Sequence, residues 1–180
     1  MSRLNGKAPN RPAARRKSPT LPAESYVYDV QRTGDCGASL TVRIPATPHK
    51  LLNPNTVRVT EKQRSELDWP LPKKSVHIIK YALRQQLKDA VAWSCIEQRP
   101  KHPLTCPVVV HVVIGWEKGR MVMDFDNAIS SCKGALDGLI MGGWIADDDQ
   151  VTGMTLQQTK DPEKVGFMVL TVEPVEGARP

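Results

Sequence analysis

Residues 107–116 read Pro-Val-Val-Val-His-Val-Val-Ile-Gly-Trp, and no other segment limits the fold so strongly. β-Branched side chains lose rotamer freedom in a helix and fit a pleated surface, so this run is a strand. It is too apolar to lie on an edge and belongs in the middle of a sheet. Such a sheet must be covered on at least one face, and the same chain has to supply the cover.

It supplies two helices. Ile79, Leu83, Leu87, Val91 and Cys95 recur every four residues, one stripe of a helix predicted from a Ser75 cap to about Gln98. Lys80, Arg84 and Lys88 form a second row at the same spacing, read as a solvent face. A second helix is predicted over 127–141, with Ile129, Cys132, Leu136, Leu139 and Ile140 as its stripe and Gly142–Gly143 as its stop. Residues 39–44 alternate apolar and polar, the period of a half-buried strand. Residues 151–160 and 167–173 are two further strands, joined by a turn. The class is α+β: a β-α-β-α-β-β order forming a mixed sheet packed by two helices. The segment from Pro45 to about Lys74, punctuated by Pro48, Asn53, Pro54 and Asn55, is a loop long enough to suggest a function.

At 180 residues there is room for one domain. Arg3, Lys7, Arg11, Arg15, Arg16 and Lys17 precede any acid and account for the whole net charge of +6. With four prolines among them, residues 1–25 are expected to be a disordered basic tail. Residues 26–176 form the folded unit. That unit is polarised: residues 42–101 hold 12 Lys or Arg against 5 acids, and residues 117–149 hold 7 acids against 3 bases. A basic stretch suits a polyanion and an acidic one suits a cation. No run approaches the roughly 18 apolar residues of a membrane helix, so no membrane partner is expected. No apolar stretch follows the N-terminal basic residues, as a secretory leader would need. Cys36, Cys95, Cys106 and Cys132 are too scattered for a disulfide framework, which makes the cytoplasm the expected compartment.

The chemistry concentrates in residues 123–151. Asp124 and Asp126 are two apart in what reads as an extended stretch, so their side chains share a side. Asn127 opens the helix, and Asp147, Asp148 and Asp149 follow its end. If the chain folds back compactly, that loop can return beside Asp124 and Asp126. Clustered carboxylates need a counter-charge, and Mg²⁺ or Mn²⁺ suits all-oxygen ligands. The competing account is a helix cap at Asp124–Asn127 and a polar turn at 147–149.

These residues resemble the RusA family of Holliday junction resolvases. The shared elements are Asp124-Phe125-Asp126-Asn127, Lys133, Asp137-Gly138-Leu139, and Asp147-Asp148 shortly before Val151. More loosely, the likeness runs from Ser39 to Glu173. The resemblance implies a homodimeric endonuclease that cuts four-way DNA junctions by paired nicks with Mg²⁺ or Mn²⁺. It implies Asp124, Asp126 and Asp148 as catalytic, metal-binding carboxylates and Lys133 as the catalytic lysine. Lys133 lies three residues further from the first Asp than in the best-known form of the family, a rotation of only about 60° on a helix. An ion pair with Asp137 is its structural alternative.

DNA contact is expected at Lys50, Arg58, Lys62, Arg64, Lys73 and Lys74, with Lys160 and Lys164 as further candidates. Cys95, His102, Cys106 and His111 match no zinc spacing, and His111 reads as a satisfied core histidine. No phosphate-binding glycine loop or nucleophile arrangement is present, so no small-molecule cofactor is expected. Two further readings stand beside the resolvase: a non-catalytic DNA-binding accessory protein, and the same fold cutting other branched DNA.

Overall fold

The computed structural model describes residues 28–32, 38–65, 67, 76–117, 119, 122–163 and 165–175. Five strands form one sheet: β1 (Tyr28–Arg32), β2 (Ala38–Ile44), β3 (Val108–Trp116), β4 (Val151–Lys160) and β5 (Phe167–Pro174). Four helices accompany them: α1 (Glu61–Ser65), α2 (Val76–Cys95), α3 (Phe125–Ser131) and α4 (Lys133–Met141). The strand order is β1-β2-β5-β3-β4, with β3 and β4 parallel and every other pairing antiparallel. The class is the α+β mixed sheet expected from the sequence. The apolar run of β3 lies between β5 and β4, in the interior of the sheet.

Val108, Val110, Val112, Ile114 and Trp116 are at most 1% exposed and face the helices. Each buried aliphatic side chain of this kind contributes roughly 1.5–3 kcal/mol. On α2 all five residues of the predicted stripe are buried in the same core. The opposite face of β3 is half-buried and carries His111, whose Nδ1 shares a hydrogen bond with Thr155 Oγ1 at 2.7 Å and whose Nε2 lies 3.4 Å from Glu173 Oε2. His111 is therefore on the open side of the sheet and not in the core.

Four further points differ from the expectations or add to them. Strand β1 was not anticipated. Strands β4 and β5, consecutive in the chain, are separated in the sheet by β3. The long loop contains α1 and a 3₁₀ turn at Lys50–Leu52. The helix predicted over 127–141 begins at Phe125 and breaks at Cys132. Ser130 Oγ and Ser131 Oγ donate to the carbonyls of Asp126 and Asn127, four residues back, at 2.9 and 2.7 Å. Such back-bonds bend helices. The chain then tightens, with Cys132 N donating to Ile129 O three residues back.

The break rotates the buried face. Ala128, Cys132, Ala135 and Leu139 are fully buried, whereas Ile129, Leu136 and Ile140 are only half so. Gly134, Gly138 and Gly142 bring α4 onto α2. A Cβ on Gly138 would stand 2.7 Å from Lys88 O and 2.6 Å from Val91 Cβ. The helix ends at Gly142, and Gly143 takes φ +78, as a glycine stop requires. Among the described residues no helix is long and apolar enough to cross a membrane. Residues 1–25, the expected tail, lie outside the described residues.

Candidate active site

The site is assembled by two polar fastenings that hold acidic segments against the sheet. The first holds Asp124. Trp116 Nε1 donates to Gln158 Oε1 at 2.9 Å, and Gln158 Nε2 donates to Met123 O at 2.9 Å. The residue before Asp124 is thus tied to β4. Asp124 is the N-cap of α3, yet its side chain makes no capping hydrogen bond. Its Oδ2 accepts instead from Asn127 Nδ2 at 3.5 Å, and Asn127 Oδ1 accepts from Asn55 Nδ2 at 3.4 Å. Asn127 is 5% exposed, so the loop after β2 is linked through a buried amide to Asp124.

The second fastening holds the loop before β4. Gln150 Oε1 accepts from the backbone N–H groups of Ala146 and Asp147 at 2.8 and 3.0 Å. Its Nε2 donates to Leu104 O and Cys106 O at 2.8 and 3.1 Å. Asp147 Oδ1 accepts from Asp148 N at 2.7 Å, which completes a capping box around the 3₁₀ turn Asp148–Gln150.

The two competing accounts of the acids therefore divide by residue. Asp147 is a cap. Asp124 sits at a cap position without serving as one, which leaves its carboxylate for other work. The same-side argument for Asp124 and Asp126 does not apply, because Asp126 lies in the first turn of α3 and not in an extended stretch.

Among the described residues, Asp147, Asp148 and Asp149 are the one group of three potential ligands with oxygens within 4.8 Å of one another, and all three are exposed. Asp124 and Asp126 are not members. Lys133, the first residue of α4, places Nζ 3.9 Å from Asp148 Oδ2. The break at Cys132 restarts the helix, so the rotation of a continuous helix no longer decides where Lys133 points. Its ion pair is with Asp148, not with Asp137. Both partners are about half exposed, and a pair of this kind adds little stability. Its value is placement: an ammonium beside a carboxylate cluster.

The electrostatics fit a cation. A side-chain hydrogen bond with Asp147 holds Asp148 above the usual carboxylate range, with desolvation and the Asp147 charge acting the same way and Lys133 opposing. The same bond, with the backbone N–H groups of Asp148 and Asp149, holds Asp147 below it. Crowded carboxylate oxygens of this kind are a donor set for a hard divalent ion.

Of the expected DNA-contacting residues, Lys50, Arg58 and Lys62 are exposed. Arg64 falls in α1. Lys73, Lys74 and Lys164 lie outside the described residues, as does Ser75. Lys160 is exposed at the end of β4. Sequence reasoning missed Gln150, Gln158 and Asn55, whose roles depend on segments far away in the chain. The sole local signal was Gln150, three residues after Asp147, the spacing of a capping box.

The family model for the endodeoxyribonuclease RusA matches residues 72–169, more than half of the chain. The match runs from just before α2 into β5 and contains both acidic segments and Lys133. The chain belongs to the RusA endodeoxyribonuclease family, as its motifs suggested. The match does not extend back to Ser39, where the looser likeness began. No curated protein matches the chain.

Proposed function

We propose that this protein is a metal-dependent, structure-selective endonuclease that resolves four-way DNA junctions by paired phosphodiester hydrolysis, as a homodimer, in DNA recombination or repair. The observation that carries the reading is the pairing of Lys133 with Asp148 across 3.9 Å, inside a RusA domain and against the sole carboxylate cluster among the described residues. The cytoplasm of a bacterial or phage-infected cell is the compartment that goes with it.

By the family resemblance Asp124, Asp126 and Asp148 would hold Mg²⁺ or Mn²⁺, with Asp149 alongside, although of these only Asp148 and Asp149 belong to the cluster of mutually close oxygens. When bound, such an ion activates water and neutralises charge developing on the phosphate. The chain's own residues prepare that chemistry. Asn127 steadies the Asp124 carboxylate, and Gln150 fixes the loop that presents Asp148. Lys133 supplies positive charge where negative charge grows on the phosphoryl oxygens or the leaving oxygen. Asp147, used as a cap, orients its neighbour. A two-fold substrate is matched by a two-fold protein, which is the reason for the dimer.

The test is cleavage of a labelled synthetic four-way junction beside linear duplex and a flap, with Mg²⁺, with Mn²⁺ and with chelator. Wild type should nick the junction symmetrically only with metal. Asp148→Asn should abolish cutting while keeping junction affinity. Tight binding without cutting under either metal would point to an accessory DNA-binding protein. Cutting of the flap alone would keep the metal site and discard the junction.

A further inference from the structure

The basic row of α2 passes along the candidate site instead of facing away from it. Lys80 Nζ donates to Asn53 O at 2.8 Å and Pro54 O at 3.2 Å. That loop carries Asn55, which bonds Asn127 and through it reaches Asp124. One turn further on, Arg84 lies over the start of α4. A Cβ on Gly134 would stand 2.8 Å from Arg84 O and 3.0 Å from Arg84 Cγ. Gly134 is the neighbour of Lys133, whose ammonium meets Asp148. The row therefore touches both segments that bring the acids into place.

Its two leading members are used differently. Lys80 is half-buried, and its ammonium is occupied with backbone carbonyls. Arg84 is exposed, and no acid pairs with its guanidinium among the described residues. Asp89 is the one acid on α2, and its Oδ1 accepts from Gln85 Nε2. The proton of Lys80 is held less tightly than usual, first because of burial and then because of the Arg84 charge beside it. Two cations held side by side with no acid between them repel, and an anion placed there would relieve the repulsion. Arg, with its planar fork of donors, is the side chain suited to a phosphate.

We infer that Arg84 grips a phosphate of the DNA backbone beside the one being cut, making the Lys80–Arg84 edge of α2 part of the DNA-binding surface. The inference rests on the nuclease reading for its purpose, but its readout is binding and does not need cutting. Contacts to phosphate carry no sequence information and are screened by salt.

The experiment is fluorescence anisotropy of a labelled four-way junction and a duplex of unrelated sequence, in EDTA, across 50 to 300 mM NaCl. Arg84→Gln should weaken binding several-fold on both DNAs and reduce the slope of log affinity against log salt by about 0.9, one phosphate contact. Arg84→Lys should restore most of the slope. Arg99→Gln, at the far end of the α2–α4 seam, should change neither. Equal unfolding midpoints for the variants and wild type would show that the effect is local. An unchanged slope in Arg84→Gln, or an equal loss in Arg99→Gln, overturns the inference. Binding by wild type in EDTA with no cutting once Mg²⁺ or Mn²⁺ is supplied refutes the nuclease reading and leaves Arg84 decided by its slope. No binding by wild type refutes both.

Discussion

Gly138→Ala sets two opposed effects against each other, and the structure says which wins. In a helix, alanine is favoured over glycine by roughly 0.5–1 kcal/mol, so a freely exposed site would be stabilised. At Gly138 the added methyl would stand 2.7 Å from Lys88 O, 2.6 Å from Val91 Cβ and 2.9 Å from Val91 Cγ1. Each distance falls short of comfortable contact by about 0.7 Å or more. A backbone carbonyl inside a twenty-residue helix cannot swing aside as a side chain would. Overpacking costs about 1–3 kcal/mol, and contacts this short to a backbone carbonyl and a Cβ put Gly138 in the upper part of that range, about 2–3 kcal/mol. Set against the helix gain, the net change is a loss of about 1–2.5 kcal/mol. For a chain of this size the melting temperature should fall by roughly 2–10 °C. Thermal or urea unfolding measures it, with Gly153→Ala as the matched control. A methyl on Gly153 would meet only Val109 methyls, at 3.5 and 3.7 Å, and stability should hold or rise slightly. Because α4 begins at Lys133, a widened seam should also pull that ammonium away from Asp148 and reduce cleavage beyond the loss of folded protein. A Gly138→Ala protein as stable as wild type would refute the close approach of α2 and α4.

Gln150→Glu keeps the acceptor for Ala146 and Asp147 but removes both donors to Leu104 O and Cys106 O; we expect a loss of about 1–3 kcal/mol in chemical denaturation and a larger fractional loss of cleavage than of DNA affinity. Asp161 is buried and accepts from the backbone N–H groups of Glu163, Val165 and Gly166 at 2.8–3.0 Å. Burial pushes its carboxyl up, but these donors and Arg43 together outweigh it and hold the group below its ordinary value. A lowered folded-state value adds stability above the unfolded value of about 4, lost as pH falls through the folded one. Asp161→Ala should therefore be less stable than wild type at pH 7, with the gap closing on acidification, as unfolding curves from pH 7 to 2.5 would show.

What could be read ahead was whatever depends on near neighbours in the chain. The period of Ile79 to Cys95 settles the buried face of α2, and the β-branched run of β3 settles its central place, because both follow from side-chain geometry alone. The break at Cys132 was not legible: two serine back-bonds act against an apolar pattern that continues through the gap. Lys80, Arg84 and Lys88 have the spacing of a solvent face, and only the path of residues 53–55 turns Lys80 into a tether. For the candidate site, it was the resemblance to the RusA family that singled out Lys133 and Asp148, which the fold brings to 3.9 Å of each other; residue type and spacing alone left a surface ion pair and a polar turn open. They were not enough to separate Asp147, a cap, from Asp124, which is not one. That distinction depends on Gln150 and Asn127 reaching partners more than forty and seventy residues away.

The residue at the break between α3 and α4 also bears on which metals the neighbourhood attracts. Burial pushes the Cys132 thiol up to about 12, and Cys95, under α4, is pushed as far. Neither forms a thiolate at neutral pH, and the thiolate is the form that oxidants attack and soft metals bind. Peroxide and thiol reagents should pass these sulfurs by. Zinc and copper, which compete strongly wherever sulfur is offered, meet only oxygen at the Asp147–Asp149 cluster.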